Sequence, residues 1–294
     1  MSDQLRICRN CGTALHGPYC SSCGQKDVDI HVPVRELASE FVEVLPSFDR
    51  RLFRSIRPLL LDPGHLTMEY VNGKRKHYLS PFKLYLIISF LFFFVGSLTD
   101  DTEKRSAAAS SLQKQDTPSA DSIDVTLRTG NSNVAFTVKD TTQVSELFGT
   151  EGMAILRKLK EDPDLMFDKI KEHRSKIIFI LLPVFALLLK LLYLRSRVLY
   201  VRHLVFSFYF HSFLFLVLFV SDLLELVRLP FEGYVSALLL LTVPANLFRG
   251  MRTVYGQPNG KTIVKLLLLS ATYAATFLLT MSAAAVIIII LFYR

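Results

Sequence analysis

Apolar residues crowd into five runs, at 79–98, 177–194, 203–220, 231–248 and 264–293, with polar chain before and between them. A bilayer core takes about 20 mostly apolar residues per helix, so each run is predicted to cross a membrane. The fourth is the weakest, because it carries Glu232, Pro244 and Asn246; the fifth, about 30 residues, is long enough to tilt. The pattern predicts a mainly α fold, a polytopic helical membrane bundle of about five spans. Since a polar segment precedes a late first run, no cleavable signal peptide is expected.

Two amphipathic stretches precede the first span within 34–78. Leu37, Phe41, Val44 and Leu45 recur at helical spacing, as do Leu52, Phe53, Ile56, Leu59 and Leu60 after Pro46. Arg50, Arg51, Arg54 and Arg57 are spread through the second stretch. That composition suits a helix lying in the membrane interface, and suits equally a helix packed on loops of its own chain. Lys74, Arg75 and Lys76 follow immediately before the first span. They read either as an orienting anchor or, with Arg54, as a site for lipid headgroups or another anion; each basic residue at an anionic surface contributes about 1 kcal/mol.

The long polar segment 99–175 begins as a linker-like stretch to residue 122. Two alternating runs follow, IDVTLRTG and NVAFTVKD, which have the pattern of a β-hairpin. From 144 to 173 the pattern turns helical, interrupted at Asp162-Pro163. A small extracytoplasmic loop domain is expected here, α+β if the alternating runs pair.

Composition sharpens this picture. Over 294 residues the chain is 51% hydrophobic with a mean hydropathy of +0.35, which excludes a wholly soluble enzyme and an intrinsically disordered chain. The net charge of +8 is unevenly placed: residues 175–294 carry 11 basic and 3 acidic side chains, and 99–174 carry 11 and 14. Lys and Arg mark the cytoplasmic ends of spans. The clusters before span one, between spans two and three (Arg195, Arg197, Arg202) and between spans four and five (Arg249, Arg252, Lys261) share one side if the N-terminus is cytoplasmic and the C-terminus outside. Lys169, Lys171, Arg174 and Lys176 run against that assignment and are outweighed. The charge is an orientation signal, and nucleic acid is not expected as a partner.

All four cysteines fall within the first 23 residues, as Cys8-Arg-Asn-Cys11-Gly and Cys20-Ser-Ser-Cys23-Gly. Each pair brackets a tight turn that presents two sulfurs, and Gly12 and Gly24 suit the positive φ such turns need. Two facing knuckles supply a sulfur tetrahedron for a structural Zn²⁺ with no open position. A module of 1–26 is too small for a useful core, so metal would supply most of its folding energy. Two disulfides would suit an oxidising compartment, not the cytoplasmic side. An iron–sulfur cluster also takes four thiolates, but the paired knuckles favour zinc.

CRNCGTALHGPYCSSCGQ, the helix with Phe48-Asp49 and Arg54, LLLDPGHLTMEYVNGKRKHYLSP, and the later KLLYLRSRVLYVRHLVFSFYFHSFLF and MRTVYGQ together resemble the bacterial membrane proteins catalogued as domain of unknown function 3667. The resemblance implies a zinc-ribbon protein of a bacterial inner membrane. It implies no established activity and no catalytic residues.

Within the spans, His203, Ser207 and His211 follow one another at intervals of four on the third, and Lys190 and Asn246 lie on the second and fourth. Ionisable groups at membrane depth are functional candidates by default; a converging set would make a proton or ion path. The plainer expectation is an interhelical hydrogen bond from His211 and a snorkelling Lys190. With no nucleophile, phosphate-loop or dinucleotide motif, the expected function is a non-enzymatic scaffold or regulator, and the alternative is a small transporter or channel. Membrane lipids and a cytoplasmic protein are the expected partners, with a homo-oligomer left open.

Overall fold

A computed structural model describes residues 6–27, 50–111, 123–129, 132–138, 163–227 and 231–293. The amphipathic stretch expected over 34–45 lies outside them, as does much of the 99–175 segment. Seven helices and two strands are present among the described residues: α1 Arg50–Leu61, α2 Pro63–Val71, α3 Pro81–Ser111, β1 Ile123–Thr129, β2 Ser132–Val138, α4 Pro163–Leu192, α5 Tyr200–Val227, α6 Glu232–Tyr255 and α7 Asn259–Tyr293. The chain divides into two compact units, Met1–Lys104 with Leu182–Tyr273, and Arg105–Leu181 with Ala274–Arg294. In the second unit β1 and β2 pair antiparallel, with Ile123 opposite Val138 and Thr129 opposite Ser132.

The first unit is organised around α5. Its residues 203–213 are buried on every side, which only a helix surrounded by others achieves. Phe185, Leu189 and Tyr193 of α4 meet Phe206 and Phe210 of α5, Leu247, Met251 and Val254 of α6, and Leu269 of α7 in one apolar cluster. Phe185 stacks on Phe210 at 5.3 Å between ring centres, and Phe82 of α3 meets Phe208 edge-on at 5.4 Å.

Among the described residues, three helices are long and apolar enough to cross a membrane: Tyr200–Val227, Glu232–Tyr255 and Asn259–Ala284. Pro81–Ser97 and Ile178–Leu192 are apolar over shorter stretches. The outer faces of α6 and α7 leave Leu238, Leu241, Leu267 and Leu279 about two-thirds exposed. An apolar surface of that extent is stable in lipid and a liability in water.

Helices α1 and α2 pack on α5 and α6 as part of the bundle. Along α1 the buried positions Leu52, Ser55 and Leu59 fall on one helical face, while Phe53, Arg54 and Arg57 are exposed. Asp62 closes α1 and caps α2, its carboxylate accepting from the His65 amide at 3.3 Å; Pro63 at the first helical position gives up only an amide that would be orphaned anyway. Gly64 then lets α2 approach α6 closely: a Cβ there would fall 2.6 Å from the Thr253 Cβ and 2.9 Å from the Gly250 carbonyl. The Asn246 amide nitrogen on α6 donates to the Leu59 and Leu60 carbonyls at 3.3 Å, satisfying acceptors that the end of α1 leaves open. The Thr253 hydroxyl reaches the Asp62 carboxylate at 3.3 Å. From α5, the Tyr209 hydroxyl donates to the Leu79 carbonyl at 3.1 Å, and the Leu79 amide donates to the Ser55 hydroxyl at 2.9 Å.

Candidate functional site

The two cysteine pairs adopt the same local geometry. In the first, the Cys8 amide donates to the Thr13 carbonyl and the Gly12 amide to the Cys8 carbonyl, both at 2.8 Å. In the second, the Cys20 amide donates to the Gln25 carbonyl at 2.8 Å and the Gly24 amide to the Cys20 carbonyl at 2.9 Å. Gly12 and Gly24 sit at φ of +78° and +69°, in the left-handed region where a side chain would be strained. Single antiparallel bridges, Ile7 with Ala14 and Tyr19 with Lys26, close the knuckles.

Facing each other, the knuckles bring four free cysteines together. Their sulfurs all lie within 4.8 Å of one another, with Cys8 to Cys23 at 3.6 Å and Cys11 to Cys20 at 3.5 Å. A tetrahedral ion with metal–sulfur bonds of about 2.3 Å sets its sulfurs roughly 3.8 Å apart, so this donor set fits a tetrathiolate metal site. The apolar core of the module is only Cys8, Leu15 and Cys20, with Cys23 packed against them. Burial pushes the Cys8 thiol up to about 11, while hydrogen bonds with the Thr13 hydroxyl and backbone bring the exposed Cys11 down to about 6.

The module is docked on the segment that leads into α3. The Gln25 side chain, buried with 8% exposure, donates through Nε2 to the Gly73 carbonyl at 2.7 Å and accepts through Oε1 from the Arg75 amide at 3.1 Å. Both ends of one carboxamide are therefore used by backbone groups some fifty residues away in sequence. Gly73 has φ of +93°, and a Cβ on it would fall 3.1 Å from the Arg9 Cδ of the first knuckle. Gln25→Ala is expected to leave the Gly73 carbonyl and the Arg75 amide without these partners, at about 1–3 kcal/mol for a buried polar group. Faster hydrogen exchange at 6–27 and 73–76, with metal content unchanged, is the expected readout.

The basic residues before α3 do different things. Lys74 is paired with Glu69 at 2.9 Å. The Arg75 guanidinium lies 5.3 Å from the Tyr70 ring centre, with Nε and one terminal nitrogen buried and unpartnered among the described residues. Lys76 and Arg54 are exposed.

Most polar groups singled out on α4, α5 and α6 are engaged with other side chains or with backbone. His211 is 1% exposed. Its Nδ1 lies 2.8 Å from the Ser207 carbonyl, which can only accept, so Nδ1 carries the proton; Nε2 then accepts from the Tyr273 hydroxyl at 2.9 Å. Ser207 donates to the Leu182 carbonyl at 2.9 Å. His203 is fully buried, with Nδ1 2.7 Å from the Tyr255 hydroxyl and Nε2 unpartnered among the described residues. Lys190 lies 5.8 Å from the Tyr200 ring centre, and Asn246 holds α1 as described above. Gln25, Tyr255 and Tyr273 were not singled out by sequence reading. The signals were faint: a glutamine following a knuckle glycine, and lone hydroxyls within otherwise apolar helices.

Residues 49–93 match the protein family of unknown function DUF3667. The DUF3667 match covers α1, α2, the basic segment that receives Gln25, and the first part of α3. No curated protein and no solved structure matches the chain.

Proposed function

We propose that this protein is a membrane-anchored, non-enzymatic docking platform whose cysteine module is a structural zinc ribbon. In this reading the bundle crosses a bacterial inner membrane about five times, with the shorter apolar stretches of α3 and α4 joining the three longer spans. The ribbon and the basic segment face the cytoplasm in this reading, which the balance of Lys and Arg among the loops supports. Cys8, Cys11, Cys20 and Cys23 hold the ion, and an all-sulfur set leaves it no open position for chemistry.

The observation that carries the reading is the Gln25 bridge, which joins the cysteine module to Gly73 and Arg75 within the DUF3667 match. A module fixed to the membrane edge this way presents a defined surface, including the exposed Ile7 and Tyr19, to a protein in the aqueous phase. Affinity purification from native membranes tests it. Cross-linked partners of the wild type should be lost from Cys8→Ser/Cys11→Ser together with the zinc. A variant without zinc that keeps every partner would rule the platform out.

The alternative, a transporter or channel built on His211, Asn246 and Lys190, is supported less well. Both ring nitrogens of His211 are engaged by Ser207 and Tyr273, and the Asn246 Nδ2 is used on α1, which leaves only its buried Oδ1 without a partner among the described residues.

A further inference from the structure

A cleft of about 760 Å³ opens between the end of α4 and the start of α7, and no residue of the cysteine module lines it. Its lining carries Arg195, Lys261 and Lys265. Among the described residues no carboxylate pairs with any of the three. Three cations around one cleft repel one another and favour an anion between them. Lys265 is held in place, its Nζ 3.6 Å from the centre of the Tyr193 ring. Tyr193 in turn stacks on Tyr255 at 3.8 Å, and Tyr255 stacks on His203 at 5.4 Å. This column ties the cleft to the end of the bundle on which α1 and α2 pack.

Two further polar groups point to a ligand. Tyr193 lines the cleft with 2% exposure, and its buried hydroxyl has no partner among the described residues. The Gln257 Oε1, on another residue of the lining, is also buried and without a partner among the described residues. A buried hydroxyl without a partner costs roughly 1–3 kcal/mol, so natural sites rarely keep one idle. Apolar residues share the lining with these polar groups: Leu191, Leu194 and Val264 are each more than half exposed, and the exposed Leu267 and Leu268 continue the apolar surface along α7.

We propose that this cleft binds the phosphate of an anionic phospholipid. The cations and the Tyr193 hydroxyl take the phosphate, the Gln257 oxygen accepts from a headgroup hydroxyl, and the acyl chains lie along the leucines of α7. The apolar part of the lining favours a lipid over a free phosphate compound, which would have no use for it. This site is distinct from the basic segment at 74–76, and its assignment does not rest on the metal module.

Native mass spectrometry of the full chain in mixed micelles of phosphatidylglycerol and phosphatidylcholine tests the proposal. The wild type should retain phosphatidylglycerol selectively. Lys261→Gln/Lys265→Gln should reduce that retention about thirtyfold, the effect expected for two headgroup-facing charges. Arg249→Gln/Arg252→Gln, which removes the same charge from exposed positions on α6, should leave it unchanged. Tyr193→Phe should lower retention about threefold without lowering the melting temperature in the absence of phosphatidylglycerol, because the deleted hydroxyl has no partner among the described residues. Equal retention of both lipids by the wild type, or an equal loss in the Arg249/Arg252 control, would overturn the site. Displacement of phosphatidylglycerol by soluble glycerol phosphate would overturn the lipid assignment in favour of a soluble phosphate. Zinc content, measured on the same samples, should stay constant, so failure here leaves the ribbon reading standing.

Discussion

Cys8→Ser/Cys11→Ser is expected to lose one equivalent of zinc and to unfold residues 6–27, with the helical bundle retained. The magnitude follows from how little else holds the module. Its apolar core is three residues with a fourth packed against them, and single bridges stand in for sheets. Against that, a tetrathiolate zinc site contributes an apparent 10–16 kcal/mol at neutral pH in small metal-folded modules. Removing two ligands forfeits nearly all of it. Metal analysis of purified protein reads the stoichiometry, and limited proteolysis reads the unfolding, with new cuts confined to the N-terminal module. A strong chelator should give the same proteolytic pattern in the wild type. A serine variant that keeps a full equivalent of zinc, or resists protease at 6–27 without it, would show that the cysteine cluster is not the metal site or that metal does not fold the module.

His211→Ala should destabilise the bundle by about 3–5 kcal/mol, as for deletion of a large buried ring. Two costs combine. The imidazole packs edge-on against Phe185 at 5.1 Å, so its removal leaves a void beside a ring that also meets Phe210 and Tyr273. It also strands the Tyr273 hydroxyl, whose hydrogen bond to Nε2 closes the link between α5 and α7. Tyr273→Phe strands Nε2 alone and should cost less, about 1–3 kcal/mol. The two effects should fall short of additivity in the double variant, since both remove the same bond. Thermal unfolding in detergent measures all three. Unchanged stability in His211→Ala, together with lost ion flux in liposomes, would move the assignment to the transport reading.

Parts of this architecture were legible because they are local. The Cys-x-x-Cys-Gly spacing dictates a knuckle with any neighbours, since the turn, the positive-φ glycine and the two sulfurs lie within five residues. The apolar runs announce helices because lipid or a crowded interior is the only place for such composition. What was hidden is long-range. Nothing near Asn246 says that its amide meets the end of a helix 187 residues earlier. Nothing near Gln25 names Gly73 and Arg75 as its partners. Helix ends were hidden too where they outrun the apolar pattern. The run at 231–248 continues as α6 to Tyr255, where Gly256 at φ of +62° stops it. The cationic cleft escaped notice for a related reason: Arg195 and Lys261 look like ordinary flanking charges until folding sets α4 beside α7.

The close approach at Gly64 bears on how the protein can be taken apart. A cut at the first apolar run would suggest a soluble head and a lipid-embedded tail. The bundle does not divide there. Leu59 and Leu66 have no exposure, and the Gly64 backbone lies against Gly250 and Thr253, deep in chain that such a cut assigns to the tail. A head expressed alone would carry an uncovered apolar face and aggregate, and the tail would carry an unfilled groove. Reporter fusions and truncations that preserve the native packing should therefore keep α1 and α2 together with α4 through the Tyr273 end of α7 in one piece.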